Sequence, residues 1–508
     1  MTYLCGVQVA HAPPKRKIIT ETDRVANDTP APAIVWFRRD LRIADNPALT
    51  EAAAMGASVI PLYIHDERLD GRPMGAASKW WLDKSLRALA ADLKDRGAPL
   101  VLRSGDAEAV LRTVIEETGA QSVLMSRMFE PAAWERDAEI AHGLKTDGVT
   151  CRGFNGALLA RPGSVRTGQD APYKVFTPFL KALLDGADEP APRDGPRTLD
   201  RVPGVKTETV DDWDLHPTRP DWSGGFDWTP GETGAREALS VFLAGPLKTY
   251  GDGRDIPGED GTSRLSPHLH FGEISPWRAV RAARQAAEEG RVSKKQAEKF
   301  VAEIGWREFS THLLHQFPYM AERAFRPEFD AMAWRDDAKG LKAWKRGMTG
   351  YPIVDAGMRQ LWATGWMHNR VRMIVASFLV KDLLIDWREG EAWFWDTLVD
   401  ADMGNNIQNW QWVAGSGADA APYFRIFNPV TQGEKFDGDG TYVRRWIPEL
   451  AGLSDRWLHS PWTAPREVLD AAGVRLGRDY PAPIVDHAEA RKRALDTLET
   501  IKSARDKN

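Results

Sequence analysis

The stretch Trp362–Asp437 concentrates residues that can do chemistry inside what otherwise reads as buried helix. Apolar residues recur at helical spacing from Met367 to Leu384, which predicts a core-facing helix, yet its first turns carry His368, Asn369, Arg370 and Arg372. Polar groups on such a helix need partners. Asp400, Asp402, Asn405 and Asn406 follow closely, and a carboxylate beside a guanidinium forms a charge-assisted pair that a buried site can keep. The combination predicts one wall of a large cofactor pocket.

Three further constellations lie outside or overlap that stretch. Within Thr249–Pro276 a Gly-rich loop leads to Thr262, Ser263, Arg264, Leu265 and Ser266 just before an expected helix start. Hydroxyls, free N–H groups and one Arg at a helix N-terminus make an anion cradle suited to a pyrophosphate; an ordinary capping box reads the same way. Glu303 and Trp306 stand three apart on an expected helix, so a flat stacking surface lies beside a carboxyl group, as a nucleobase requires. A core Trp bonded to a glutamate has the same spacing. Trp334, Trp387 and Trp410 are far apart in sequence and, taken alone, read as core residues.

Holding such groups in place takes more than one domain, and 508 residues provide for two or three with ample buried cores. Over 33–160 short β-rich runs (AIVWF, SVIPLYI, PLVLRSGD, SVLMSRM, VTCRGF) alternate with helical stretches such as 78–96. That order predicts an α/β domain, Rossmann-like, with a parallel doubly wound sheet. No G-x-G-x-x-G turn follows the first strand; the chain runs instead into RRDLRIADN, where Arg38, Arg39, Asp40, Arg42, Asp45 and Asn46 predict a loop network fixing the strand end. Residues 161–233 read as an interdomain linker, with seven prolines between 186 and 233, although PYKVFTPFLKALL within it reads as a helix that docks an aromatic face. An all-α domain is expected over 234–485 and a helical tail over 486–508. The chain from 234 onward holds 14 of the 21 tryptophans. Residues 1–32 read as a disordered extension without the apolar region of a secretory signal.

Composition excludes several classes. Only Cys5 and Cys151 occur, so neither a disulfide scaffold nor a multi-cysteine metal site is expected, and a reducing cytoplasm suits the chain. No run approaches the ~18 apolar residues of a membrane span. The net charge of -5 argues against nucleic acid, but between Trp334 and Arg388 ten Lys or Arg face five Asp. That local excess suits phosphates, and a solvated basic helix face reads the same way.

Taken together, WFRRDLRIADN, DGTSRLSPHLHFGEIS, IGWREF, GMTGYPIVDAGMRQLWATGWMHNRVRMIVASFLVKDLLIDWREGE, DADMGNN, NWQWVAGSGADAAPYFRIFNP and QGEKFD resemble, in order and spacing, the photolyase/cryptochrome family from about Ile34 to Val485. Among its branches the chain is most similar to bacterial cyclobutane pyrimidine dimer photolyases of class I or III. The resemblance implies a lyase for light-dependent DNA repair, with a helical domain holding U-shaped FAD that is active in its reduced form, FADH–. It implies FAD contacts by Tyr250, Thr262, Ser263, Arg264, Leu265, Ser266, Arg307, Asn369, Arg372, Asp400, Asp402 and Asn406. Asn406 falls where the family places a side chain beside flavin N5, and Asn is the photolyase residue there; plant-type cryptochromes carry an Asp, which can pass a proton to the flavin.

The lesion pocket it implies comprises Arg254, Glu303, Trp306, Arg370, Met373 and Trp412, with Glu303, Trp306, Met373 and Asn406 catalytic. Trp410, Trp387 and Trp334 would relay electrons to oxidised flavin. The partner implied is DNA carrying pyrimidine dimers, flipped out of the duplex, and a monomer without a metal is expected. An antenna, methenyltetrahydrofolate or 8-hydroxy-deazaflavin, is also implied. However, the Asn-Glu pair that one branch uses for folate is replaced by Ala132 and Ala133, and Gln169–Phe179 is the alternative groove. A (6-4) repair enzyme fits less well, because the HNR at 368–370 lacks that branch's paired histidines. A cryptochrome-like blue-light photoreceptor is the alternative function.

Overall fold

The protein is described by a computed structural model over residues 30–67, 71–218, 220–420 and 425–505, without the side chains of 502–505. Up to position 29, the expected extension over 1–32 lies outside the described residues. Five short runs form β1 (Ala33–Phe37), β2 (Val59–His65), β3 (Val101–Ser104), β4 (Ser122–Ser126) and β5 (Thr150–Phe154). All pair in parallel, in the order β3-β2-β1-β4-β5. Every residue of β1 is buried, because crossover helices cover both faces of a parallel sheet and a central strand has no solvated side. The edge strand β5 is only partly buried, and its sequence is correspondingly mixed. The doubly wound sheet expected from the sequence is present.

The loop after β1 leaves the sheet where the strand order reverses, and it bolts the sheet to the helices. Asn46 Oδ1 caps the helix Pro47–Ala54 by accepting from Leu49 N (3.0 Å), while its Nδ2 donates to Asp40. Buried Arg42 donates to the carbonyls of Gly272 (2.8 Å) and Gly156 (2.7 Å), and Asp45 accepts from Arg278 (2.6 Å). The network therefore fixes more than a strand end. Gly272 has φ +67, and a Cβ there would stand 2.0 Å from the Arg39 carbonyl oxygen, so no side chain fits at this crossing. Trp81, on the helix Ala76–Asp95, adds a buried bond of 2.9 Å to Glu273.

Residues 161–233 are more than a linker. The helix Phe176–Gly186 buries Phe176, Phe179 and Leu183 in the helical core, while Val210, Leu215 and Phe226 pack on the α/β core. From Glu232 onward the elements are helices, with Lys294–Gln316 running through the middle. His312 on that helix packs edge-on against Phe179 with ring centroids 5.0 Å apart, and burial pushes its imidazole down to about 4. The folded state thus keeps His312 neutral where the unfolded chain takes up a proton below about 6.5. Its contribution to stability is complete above that pH and is lost as pH falls toward 4, about 2 kcal/mol of it between pH 7 and 5. Denaturant midpoints at those two pH values check this, with His312→Gln expected to show the shallower dependence.

The helix expected over 367–384 is interrupted. Asn369–Ser377 is α-helical, Phe378–Asp382 is a π-helical turn, and Leu384 has φ 56. Lys381 and Asp382 are both buried there: Lys381 donates to the Arg425 carbonyl and Asp382 pairs with His487 (2.5 Å) on the helix His487–Arg505. Two adjacent buried polar side chains with partners on different elements account for the departure from regular winding.

Candidate functional site

Three helices that carry expected site residues begin at capping side chains. His368 Nδ1 accepts from Arg370 N (3.2 Å), Asp386 Oδ1 from Arg388 N (3.0 Å) and Asp402 Oδ1 from Asn405 N (2.8 Å). Each cap is worth about 1 kcal/mol and fixes where its helix starts. Polar residues in this apolar stretch are thus partly structural.

Arg372 Nη2 donates to both oxygens of Asp400 (3.1 and 2.8 Å), and its Nε donates to the Met367 carbonyl (2.8 Å). The Asp400 side chain is 3% exposed and that of Arg372 23%. Arg372 and Arg264 both approach the Trp366 ring, at 5.9 and 5.2 Å, so the loop 262–266 and the helix Asn369–Ser377 meet at one indole. Arg264 holds a left-handed φ of 51 and pairs with Asp260; Ser263 Oγ accepts from Leu265 N, and exposed Ser266 opens the short helix Ser266–His270. Thr262 is half-buried, Leu265 is buried and Asn369 is exposed. Tyr250 is buried against Phe242 and Phe300, which pushes its phenol up.

Burial alone would raise the Asp402 carboxyl, but its bond to His270, the nearby Arg307 and the Asn405 N–H outweigh burial and hold it well below the usual range. Arg307 commits its Nη atoms to the carbonyls of Ala157 (2.9 Å) and Leu269 (3.2 Å) and to Glu308, so they brace the domain junction. Asn406 is buried, and its Nδ2 donates to the carbonyl (3.0 Å) and the carboxylate (2.8 Å) of Glu391.

On the adjoining side Arg254 pairs with Glu303, and Asp255 pairs with Arg370 (2.8 Å), whose Nη1 lies 3.8 Å from Met373 Sδ. Glu303, placed by the resemblance in the lesion pocket, here accepts from the Arg254 guanidinium. Trp306 stacks on Phe176 with centroids 3.6 Å apart and planes 9° apart. Trp412 Nε1 donates to the Asp419 carbonyl (3.0 Å), and the Asp419 carboxylate accepts from Phe176 N (3.3 Å), so Trp306 and Trp412 are joined through Phe176. The stretch 169–179 therefore supplies the backing of Trp306.

The three remaining indoles run outward by burial. Trp410 is 2% exposed and Trp387 3%, while half-buried Trp334 packs with Leu384, Leu498 and Ile501 under the C-terminal helix. Gly390, one turn beyond Trp387, lies against Trp410: a Cβ there would stand 2.1 Å from the indole. Gly390→Ala is expected to displace the Trp410 ring and cost about 1–3 kcal/mol, read from thermal unfolding and indole fluorescence. Sequence reasoning missed Phe176, Asp255, His270, Trp366, Glu391 and Arg72. His270, Trp366 and Glu391 stood inside the family motifs, Asp255 inside the Gly-rich stretch and Phe176 inside the docked aromatic helix, but nothing local paired any of them with a site residue; Arg72 carries no local signal.

The relatives bear on this geometry. Residues 33–197 match the family described as DNA photolyase and residues 300–500 the FAD binding domain of DNA photolyase. A deoxyribodipyrimidine photo-lyase of Agrobacterium fabrum is 54% identical over 480 residues, 93% of this chain and 98% of its own. The chain belongs to the photolyase/cryptochrome family. Within that family, cryptochrome-1 of Arabidopsis thaliana is 39% identical, over 92% of this chain and 70% of its own. The crystal structure of a bacterial class III photolyase from Agrobacterium tumefaciens superposes with a TM-score of 0.91 at 52% identity, covering 95% of this chain and all of that one. The site suits the family's flavin on donor chemistry. His368 Nε2 is buried with no hydrogen-bond partner among the described residues, and His368 caps the helix that carries Arg372.

Proposed function

We propose that this protein is a deoxyribodipyrimidine photo-lyase: it splits cyclobutane pyrimidine dimers in DNA under light, using FAD held by the Arg372–Asp400 pair, Asn406, Asp402 and the 262–266 loop. One observation carries the reading. The helix Asn369–Ser377 presents Arg372 to Asp400 and, from the same two turns, Arg370 and Met373 to the cluster of Asp255, Arg254 and Glu303. A cofactor wall and a base-recognition wall thus share one element.

When bound and reduced, FAD supplies an electron to the dimer under light and takes it back. The chain's own residues do the rest. Trp306, backed by Phe176, offers a rigid indole face to a base taken out of the stack, a step that costs a few kcal/mol and least at a damaged site. Arg254 and Arg370 face the strand's phosphates, and Glu303, released from Arg254 by that exchange, reaches the base edge. Trp410, Trp387 and Trp334 relay electrons to oxidised FAD. Trp387→Phe is expected to remove most light-driven reduction while chemical reduction and repair by pre-reduced protein persist; anaerobic spectra under illumination check this.

An antenna, methenyltetrahydrofolate or a deazaflavin, belongs to the same proposal, as does action as a monomer in the cytoplasm. Among the described residues no helix is long and apolar enough to cross a membrane. A cryptochrome-like photoreceptor would leave the Trp306 cluster without a task. Binding to dimer-bearing against undamaged oligothymidine tests the reading: a clear preference for the dimer is expected, and equal affinities would overturn it.

A further inference from the structure

Both acceptors at Asn406 demand the same end of its amide. The Glu391 carbonyl and Oε1 each take Nδ2, at 3.0 and 2.8 Å, so Oδ1 is the atom left for a partner beyond. The Glu391 side chain is 8% exposed, and its cation comes from the other domain. Arg72 Nη1 donates to Oε2 (3.0 Å) and Nη2 to Oε1 (2.6 Å), so Oε1 serves Arg72 and Asn406 together. The guanidinium lies 3.7 Å from the Trp395 ring centre, Trp395 Nε1 donates to the Pro73 carbonyl (2.8 Å), and a Cβ at Gly75 would stand 2.0 Å from the Trp395 carbonyl oxygen. The segment 72–75 is therefore seated against the helix Trp387–Thr397.

We propose that Arg72 is a positioning residue for the flavin chemistry: from the α/β domain it anchors and aims the Glu391 carboxylate, and so fixes which end of the Asn406 amide meets the cofactor. The inference rests on the reading that Asn406 faces the flavin. Without Arg72, the Glu391 carboxylate loses the two guanidinium bonds that fix its position. It then no longer holds Nδ2, and the amide can turn to give Nδ2 to the flavin. A carbonyl suits a ring nitrogen that has gained hydrogen on reduction; an N–H suits the oxidised ring.

The test is an equilibrium redox titration of holoprotein, with the flavin's vibrational spectrum, for wild type, Arg72→Gln, Arg72→Lys and Asn406→Ala. Arg72→Gln is expected to lower the ratio of reduced to oxidised flavin at a fixed potential by about tenfold, with Arg72→Lys restoring most of it. A normal ratio in Arg72→Gln beside a shifted one in Asn406→Ala overturns the inference, whether or not thermal stability falls, and leaves the site reading intact. If neither variant moves the ratio, Asn406 does not face the flavin and both fall. Should Arg72→Gln fail to fold, Glu391→Gln removes the same charge and is expected to shift the ratio in the same direction; an unmoved ratio there overturns the inference.

Discussion

Arg372→Ala is expected to yield a protein that does not retain FAD through gel filtration. The Asp400 carboxylate is almost wholly enclosed, and Arg372 Nη2 donates to both of its oxygens. Removing one partner of a buried pair costs about 3–5 kcal/mol, because the remaining charge is left without compensation. The loss falls on the site itself. At about 1.4 kcal/mol per decade, flavin affinity is expected to fall at least ~100-fold, and the unfolding midpoint to drop as well. Arg372→Lys keeps the charge but loses either the Asp400 contact or the bond from Nε to the Met367 carbonyl, so an intermediate flavin content is expected. The ratio of flavin to protein absorbance after gel filtration compares both variants with the wild type.

Trp306→Ala is expected to keep its flavin and lose its substrate. The indole touches Phe176 face to face and Phe309 edge-on, and it belongs to the helix Lys294–Gln316, whose core side also carries Ile304 and Leu313. Truncation should therefore leave the fold standing. Stacking on an aromatic side chain is worth about 1–3 kcal/mol per base, so affinity for dimer-bearing DNA is expected to fall roughly 10- to 100-fold. Affinity for undamaged DNA, which depends on phosphate contacts, should hardly change. Trp306→Phe is expected to recover part of the loss, since it keeps a flat face against Phe176. Titrating labelled oligonucleotides with each variant separates these outcomes.

What could be read from the sequence divides by range. The five strands were legible because each is a short β-rich run alternating with helical stretches, and β1 declared its burial by having no polar residue. The Arg372–Asp400 pair was legible as a chemical need, since a guanidinium on an apolar helix requires a carboxylate and one stood nearby in sequence. The pairings Arg72–Glu391 and Phe176–Trp306 were not legible, because they join segments hundreds or more than a hundred residues apart; Phe176 and Trp306 each stood out as an aromatic on a helix, but nothing local matched one to the other. The π-helical turn at Phe378–Asp382 was hidden for a different reason: its apolar spacing matches an α-helix, and only the outside partners of Lys381 and Asp382 reveal the change. Glu303 shows a third kind of gap. Its helix was anticipated, but its occupation by Arg254 depends on a segment whose path the sequence does not encode locally.

The central claim is light-driven dimer splitting, and its most direct test is anaerobic. The purified protein is chemically reduced, mixed with oligothymidine carrying cyclobutane dimers, and illuminated with blue light while ultraviolet absorbance of thymine is followed. The expected result is a recovery of thymine absorbance that requires light, continues over many turnovers and leaves the flavin reduced. No recovery under illumination, with reduced flavin still bound and DNA still engaged, would contradict the repair reading and place the protein with the photoreceptors of its family.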